Sequence, residues 1–275
     1  MNKKLESIFS LKNKIILVTG AAGLLGRNHA EAVLRFGGRL ILIDINQQKL
    51  KKLENKLKKK YPNKLKSYCI DITDETLVRE NAKLIKKAYG RLDGLVNNAA
   101  SNPTMDKTEN NLDDRLENFN IDKWNYDLSV SLTGAFLCTK HYGGLIAKTS
   151  SEGSIVNIAS DLGIIAPDQR IYPKKKNIRM VKPVTYSVSK FGIIGLTKYT
   201  STYWCNNNLR CNVMCPGGVK DKQPKELIKN ISNLIPMGRM ALPNEYQGAL
   251  VWLLSNASSY LNGAVIPIDG GRTAW

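Results

Sequence analysis

Seven short apolar runs recur along the chain, at Lys14–Thr19, Arg39–Asp44, Lys64–Ile70, Asp93–Asn97, Ser154–Ala159, Leu209–Met214 and Ala264–Ile268, with longer amphipathic stretches between them. Runs such as KIILVT, RLILID and GSIVNIA are rich in Val, Ile and Leu and lack strict polar alternation. That is the pattern of strands covered on both faces. Each gap is long enough for a crossover helix, which parallel neighbours require. The expectation is an α/β fold: one doubly wound parallel sheet of about seven strands with helices on both faces, forming a single domain over residues 1–275. No linker, repeat or low-complexity tract divides the chain. Two gaps, 101–120 and 161–185, look irregular, and loops of that length in a compact domain are usually functional.

The first run ends in Thr19-Gly20-Ala21-Ala22-Gly23-Leu24-Leu25-Gly26, and an amphipathic helix follows. Glycines at such a strand-to-helix turn let backbone approach a pyrophosphate, and the helix start offers unpaired N–H groups to it. Gly20, Gly23, Leu25 and Gly26 are therefore candidate cofactor contacts in a Rossmann-type unit. The plainer reading is a tight turn with close helix packing. Asp44, closing the second run 18 residues after Gly26, supplies the acid that such a unit places on a ribose. Its carboxylate would accept the ribose hydroxyls of NAD and repel the extra phosphate of NADP, so NAD is expected in preference to NADP. A helix N-cap is compatible with the same position.

Tyr186 and Lys190 open the stretch YSVSKFGIIGLTKYTSTYW, whose apolar spacing is helical. Positions i and i+4 share a helical face, so the two side chains point the same way. A free phenol, with a pKa of about 10, is a poor base near neutrality. A neighbouring lysine cation and the positive nicotinamide of NAD⁺ favour the phenolate. Tyr186 could then exchange a proton with an alcohol as its hydride is transferred. A lone YxxxK is often a surface pair; its place after a run leading to Ser160 favours the catalytic reading.

The glycine turn, Asp71-Ile72 after the third run and Asn97-Asn98-Ala99-Ala100 after the fourth resemble motifs of the short-chain dehydrogenase/reductase family. The resemblance extends from about Lys12 to the ending DGGRTAW. It implies a nicotinamide dinucleotide with Asp71 and Ile72 near the adenine and Asn98, Ala99 and Ala100 beside the cofactor. It also implies that Ser160 hydrogen-bonds the substrate oxygen, with Tyr186 and Lys190 touching cofactor as well as substrate. A serine after a strand otherwise satisfies a turn. The segment Asn212–Val219 resembles the one after the family's sixth strand, which implies that Pro216, Gly217 and Val219 meet the nicotinamide carboxamide. Two departures stand out. The turn reads GxxGxxG where compact members usually carry GxxxGxG. Ser131, in SLTGAF, occupies the place of the family asparagine of a proton relay; it keeps the backbone carbonyl and lacks the amide.

Composition narrows the alternatives. Five cysteines form no CxxC pair and only two histidines are present, so neither a metal site nor a disulfide framework is expected. No run approaches about 20 apolar residues, which argues against a membrane span, and the start MNKKLESIFSLKNK reads as no secretory signal. A cytoplasmic protein is expected. The net charge is +18, and nine lysines fall between Lys49 and Lys66. With no recognition motif beside them, they read as a solvated helix face and not as a nucleic-acid surface.

Between Ser160 and Tyr186 lie 25 residues carrying Arg170, Lys174, Lys175, Lys176, Arg179 and Lys182 against Asp161 and Asp168, a local charge of +4. Such a loop could recognise an anionic substrate. With the ending DGGRTAW it is similar to family members associated with sugar precursors of flagellin and surface polysaccharides. The expected function is interconversion of a secondary alcohol and a ketone on a small molecule, possible substrates being a sugar, sugar phosphate or nucleotide sugar. Alternatives are reduction of an unrelated small ketone or acyl intermediate, or a dinucleotide-sensing or nucleic-acid-binding role without catalysis. The resemblance further implies a homo-oligomer, a tetramer or dimer. The helix carrying Tyr186 has apolar residues (Ile193, Ile194, Leu196, Tyr199, Tyr203, Trp204) on more than one face.

Overall fold

Strand β1 (Ile15–Thr19) is buried along its whole length, and its alternate side chains serve two different cores. Ile16 and Val18 join one cluster, Ile15 and Leu17 the other. The same division holds for β2 (Arg39–Asp44), with Leu40 and Leu42 on one side and Ile41 and Ile43 on the other. This two-sided burial is why the runs read as continuously apolar. The computed structural model describes residues 8–101, 114–175 and 178–275.

Three more strands follow: β3 (Leu65–Cys69), β4 (Gly94–Asn97) and β5 (Gly153–Ile158). A two-stranded hairpin comes next, β6 (Lys174–Lys175) and β7 (Ile178–Arg179), and then β8 (Leu209–Pro216) and β9 (Val265–Ile268). The main sheet is parallel with seven strands in the order β3-β2-β1-β4-β5-β8-β9. Each expected run corresponds to one of these strands.

The helices are α1 (Gly26–Arg35), α2 (Gln47–Lys60), α3 (Glu75–Tyr89), α4 (121–149), α5 (Val184–Tyr203), α6 (Lys225–Ser232) and α7 (Gln247–Leu254). Residues of α1, α2 and α7 pack on one face of the sheet; those of α3, α4 and α5 pack on the other. Local chemistry sets several boundaries. Asp74 caps α3 by accepting from the N–H groups of Thr76 and Leu77, and Gly90 ends it in the left-handed region at φ 73°.

Two features were not expected from the sequence. Helix α4 contains two π turns, Ser129–Thr133 and Thr139–Gly143, which apolar periodicity does not reveal. The gap at 161–185 is not featureless. It holds two single 3₁₀ turns, Asp161–Gly163 and Gln169–Ile171, besides the β6–β7 hairpin with Lys174 opposite Arg179. Of the gap at 101–120, residues 102–113 lie outside the described residues, as does Lys176 of the basic loop.

Candidate active site

Strand order reverses between β1 and β4, so the loops after these two strands diverge at their carboxyl ends. A crevice at such a switch point is where open α/β sheets bind ligands. Here it opens into a cavity of about 690 Å³.

The glycine turn forms one wall. Gly20 adopts φ +58°, and a Cβ there would lie 2.7 Å from the Cα of Ala99, so only glycine lets the loops after β1 and β4 touch. At Gly26 a Cβ would lie 2.2 Å from the carbonyl oxygen of Gly20. Gly26 does not line the cavity; its role is to let α1 start against the turn. The two loops are stitched together. The Thr19 hydroxyl accepts from the N–H groups of Asn98 and Ala99 at 3.1 Å each, and Asn98 Nδ2 donates to the carbonyls of Thr19 and Gly20 at 2.9 and 3.0 Å. Asp44 reaches back across the turn, accepting from Ala22 N–H and Asn46 N–H at 2.9 Å each. Asp71 is held similarly, accepting from the N–H and hydroxyl of Thr73 at 2.9 and 2.7 Å. Gly20, Gly23, Leu25, Asp44, Asp71, Ile72 and Asn98 to Ala100 all line this half.

The other half is built by β5, α5 and the end of β8. Lys190 is buried, and its ammonium donates to the Ile158 carbonyl at 3.0 Å. Burial, reinforced by the nearby Lys182 cation, lowers its pKa to about 8. Tyr186 lies one turn earlier, its ring centroid 5.8 Å from Lys190 Nζ. Burial raises its pKa, a hydrogen bond with Ser160 opposes this, and the charge of Asp161 adds to it. Ser160 Oγ donates to Asp161 Oδ1 at 2.7 Å. The single serine proton is thus committed to Asp161. Gly163 makes this approach possible, since a Cβ there would lie 2.9 Å from the Lys190 carbonyl.

Pro216, Gly217 and Val219 line the cavity beside Ser160, Tyr186 and Lys190. Ser131 does not line it: it is buried in the first π turn of α4, where its hydroxyl accepts from Ser101 N–H at 2.9 Å. Ser101 in turn donates to Asp127 at 2.6 Å, and Asp127 accepts from Thr185, one residue before Tyr186, at 2.7 Å.

Six charged residues of the cavity were not singled out as site residues from the sequence: Asp161, Asp168, Lys182, Asp221, Lys222 and Arg272. Only the position of Asp161, immediately after Ser160, could have pointed to it. Lys182 places its ammonium 3.7 Å from the Tyr186 ring centroid. Helix α6 supplies apolar wall residues, Leu227 and Ile231. Among the described residues no cluster of metal ligands occurs, and no helix is long and apolar enough to cross a membrane.

A switch-point crevice with a glycine turn and a fixed acid on one side, and a Ser–Tyr–Lys group on the other, defines a dinucleotide-dependent oxidoreductase. The comparisons agree. The family described as enoyl-(acyl carrier protein) reductase matches residues 20–273. The 3-oxoacyl-[acyl-carrier-protein] reductase FabG of Thermotoga maritima is 31% identical over 265 residues, covering 95% of this chain and 98% of the relative. An NADP-dependent mannitol dehydrogenase of Alternaria alternata is 30% identical, covering 98% and 95%. Among solved structures, an NAD⁺-bound xylitol dehydrogenase is 27% identical with a TM-score of 0.79, covering 95% of this chain and 99% of that one.

The chain belongs to the short-chain dehydrogenase/reductase family. It is an oxidoreductase that acts on a CH–OH group with a nicotinamide dinucleotide. The residues present fit that cofactor: the cradle at Gly20 has no room for a Cβ, and a carboxylate lies where a ribose is read. The cofactor, when bound, supplies the acceptor or donor of hydride. Tyr186 and Ser160 line the cavity side by side, where a phenol and a hydroxyl could exchange a proton with and hydrogen-bond the oxygen of a bound alcohol or ketone.

Proposed function

We propose that this enzyme interconverts a secondary alcohol and a ketone on a polyhydroxylated, sugar-like substrate and uses NAD in preference to NADP. The observation that supports this most is the charge around the Ser160–Tyr186 pair. Asp161, Lys182 and Arg272 line the cavity there, and hydroxyls of a sugar can hydrogen-bond with such polar groups where an acyl chain cannot. The polyol relatives point the same way. A sugar, sugar phosphate or nucleotide sugar for flagellin or surface-glycan modification is the particular class favoured by the basic insertion and the ending DGGRTAW. A second reading, reduction of an acyl ketone, is favoured by the apolar wall from α6 and by the Thermotoga relative. Oxidation assays with polyols, sugar phosphates and nucleotide sugars, run beside reduction of an acetoacetyl thioester, separate the two. Turnover confined to the thioester removes the sugar reading.

The cofactor preference follows from Asp44. Both of its oxygens are engaged by backbone N–H groups, so the carboxylate cannot swing away from a 2′-phosphate. NAD is expected to bind at least tenfold more tightly than NADP, about 1.4 kcal/mol, and Asp44→Ala to narrow the gap. Calorimetric titration of both cofactors checks this, and equal affinities in the wild type would refute the role given to Asp44.

Self-association is proposed through α5. Val188, Phe191, Gly195, Tyr199 and Tyr203 recur at helical spacing on its outer side, with Tyr199 and Tyr203 66% and 64% exposed. Ile193 and Trp204 instead face the core. Light scattering at micromolar concentration is expected to show a dimer or tetramer, and Phe191→Lys with Tyr199→Lys to shift it toward monomer. A wild-type monomer would remove this claim. The five unpaired cysteines suit a reducing compartment such as the cytoplasm.

A further inference from the structure

We infer that Asp127 is a positioning residue: its buried carboxylate fixes the start of α5, and with it Tyr186, against the loop after β4. The inference rests on the reading that Tyr186 exchanges a proton with the substrate and that Asn98, Ala99 and Ala100 lie beside the cofactor.

Asp127 stands near the start of α4 and is 5% exposed. Each of its oxygens takes one hydroxyl, and the two hydroxyls come from different elements. Oδ1 accepts from Ser101 Oγ at 2.6 Å, and Oδ2 accepts from Thr185 Oγ1 at 2.7 Å. Ser101 directly follows the cavity-lining Asn98, Ala99 and Ala100, and Thr185 directly precedes Tyr186. One carboxylate therefore joins the two halves of the cavity. Ser101 is gripped twice from α4, because its N–H also donates to Ser131 Oγ at 2.9 Å. Asp127 and Ser131, four residues apart, share a helical face.

Helix α5 needs such an anchor because its own start supplies none. Pro183 occupies the cap position and offers no side-chain acceptor to the first N–H groups. Thr185 lies in the first turn and is 2% exposed, so its hydroxyl has to find a partner inside the protein. Asp127 is that partner, and a hydrogen bond to a carboxylate is stronger than one between neutral groups. Further along α5, a Cβ on Gly192 would lie 2.9 Å from Leu132 Cδ2. The helix thus rests closely on the first π turn of α4. The anchor at Thr185 and the close approach at Gly192 together set where Tyr186 faces.

The charge of Asp127 also acts on Lys182, whose ammonium lies 3.7 Å from the Tyr186 ring centroid. Asp161 and Asp114 act on the same lysine. Two variants separate position from charge. Thr185→Val removes the anchored hydroxyl and leaves every charge in place. Asp127→Asn removes the charge and keeps the shape and the hydrogen-bonding atoms.

These two, Asp127→Val and the Asp127→Val/Thr185→Val pair are compared in the full chain. Turnover is measured with xylitol and NAD and with an acetoacetyl thioester and NADH; amide hydrogen exchange is followed by mass spectrometry. Thr185→Val and Asp127→Val are expected to lower kcat about tenfold or more with KM within about threefold, the mark of misplaced reacting groups. Both should speed exchange over residues 184–190 about tenfold while β1 and β5 keep wild-type protection. Asp127→Asn should keep kcat within about threefold, and the double variant should fall no more than about twofold below the worse single one. Ser129 Oγ donates to the Tyr126 carbonyl within its own helix, so Ser129→Ala is the silent control. Where Asp127→Val does not fold, Thr185→Val decides, and the exchange arm needs no substrate. Unchanged exchange over 184–190 in Thr185→Val overturns the anchor. So does a wild-type rate in Thr185→Val beside slow Asp127→Asn and Asp127→Val, which would make the effect one of charge. A rate unchanged in Thr185→Val but lost in Tyr186→Phe also overturns it. Faster exchange in Thr185→Val with full turnover in Tyr186→Phe upholds the anchor and sinks the proton-carrier reading instead.

Discussion

Tyr186→Phe is expected to lower turnover by about 10² to 10⁴, the usual contribution of a positioned acid–base group, while leaving NADH affinity unchanged. The phenol lines the cavity beside Ser160, whose own proton is taken by Asp161. Deleting one oxygen leaves the ring, its packing and the Lys182 contact in place, so the loss should fall on kcat. Lys190 cannot substitute, because its ammonium is directed to the Ile158 carbonyl. Single-turnover measurements with saturating cofactor separate the chemical step from binding. A rate within threefold of wild type would mean that the proton travels another way.

Gly26→Ala should be far more damaging than its size suggests. The added methyl would meet the Gly20 carbonyl oxygen at 2.2 Å and Ala21 Cα at 2.8 Å. Both are backbone atoms of the cradle, so relief requires moving α1 or the turn itself. Overpacking of this kind costs about 1–3 kcal/mol or more. The strain falls on the wall proposed to receive the pyrophosphate, so NADH affinity is expected to drop at least tenfold, about 1.4 kcal/mol, with a lower melting temperature. Gly248→Ala is the control. It is also a helical glycine, but a Cβ there meets nothing within 4 Å, so it should be neutral or mildly stabilising. Equal behaviour of the two variants would show that the close approach at Gly26 is unimportant.

The strands were readable because their side chains report burial on both sides, and burial on both sides leaves an unbroken apolar run. The glycine turn, Asp44, Ser160, Tyr186 and Lys190 were readable because their chemistry depends on spacing within one segment. Lys182, Gly163 and Arg272 were not, because each owes its place to contacts elsewhere in the chain. Lys182 was one of six basic residues in the insertion, set apart only by its backbone hydrogen bonds with Gln169. Arg272 needed the Asp269 turn pressed onto Gly217. The π turns of α4 escaped for a different reason: each lengthens a helix by one residue without disturbing its apolar composition. Ser131 consequently sits in a network with Ser101, Asp127 and Thr185 that no linear pattern announces.

The cavity is assembled from the two extremes of the sequence, with Gly20 at one wall and Arg272 at another. The Gln247 side chain donates to the Asn28 carbonyl at 3.1 Å, and the Lys14 ammonium to Asn256 at 2.7 Å, across separations of 219 and 242 residues. During synthesis, therefore, Lys14 and α1 must wait until residues 247–256 are made before these contacts can form. Loop closure of that length is slow relative to local pairing. A ribosome-bound fragment ending before residue 272 would present the glycine cradle with its opposite wall unfinished. For the same reason, a purification tag is better placed ahead of β1 than after the turn that carries Arg272.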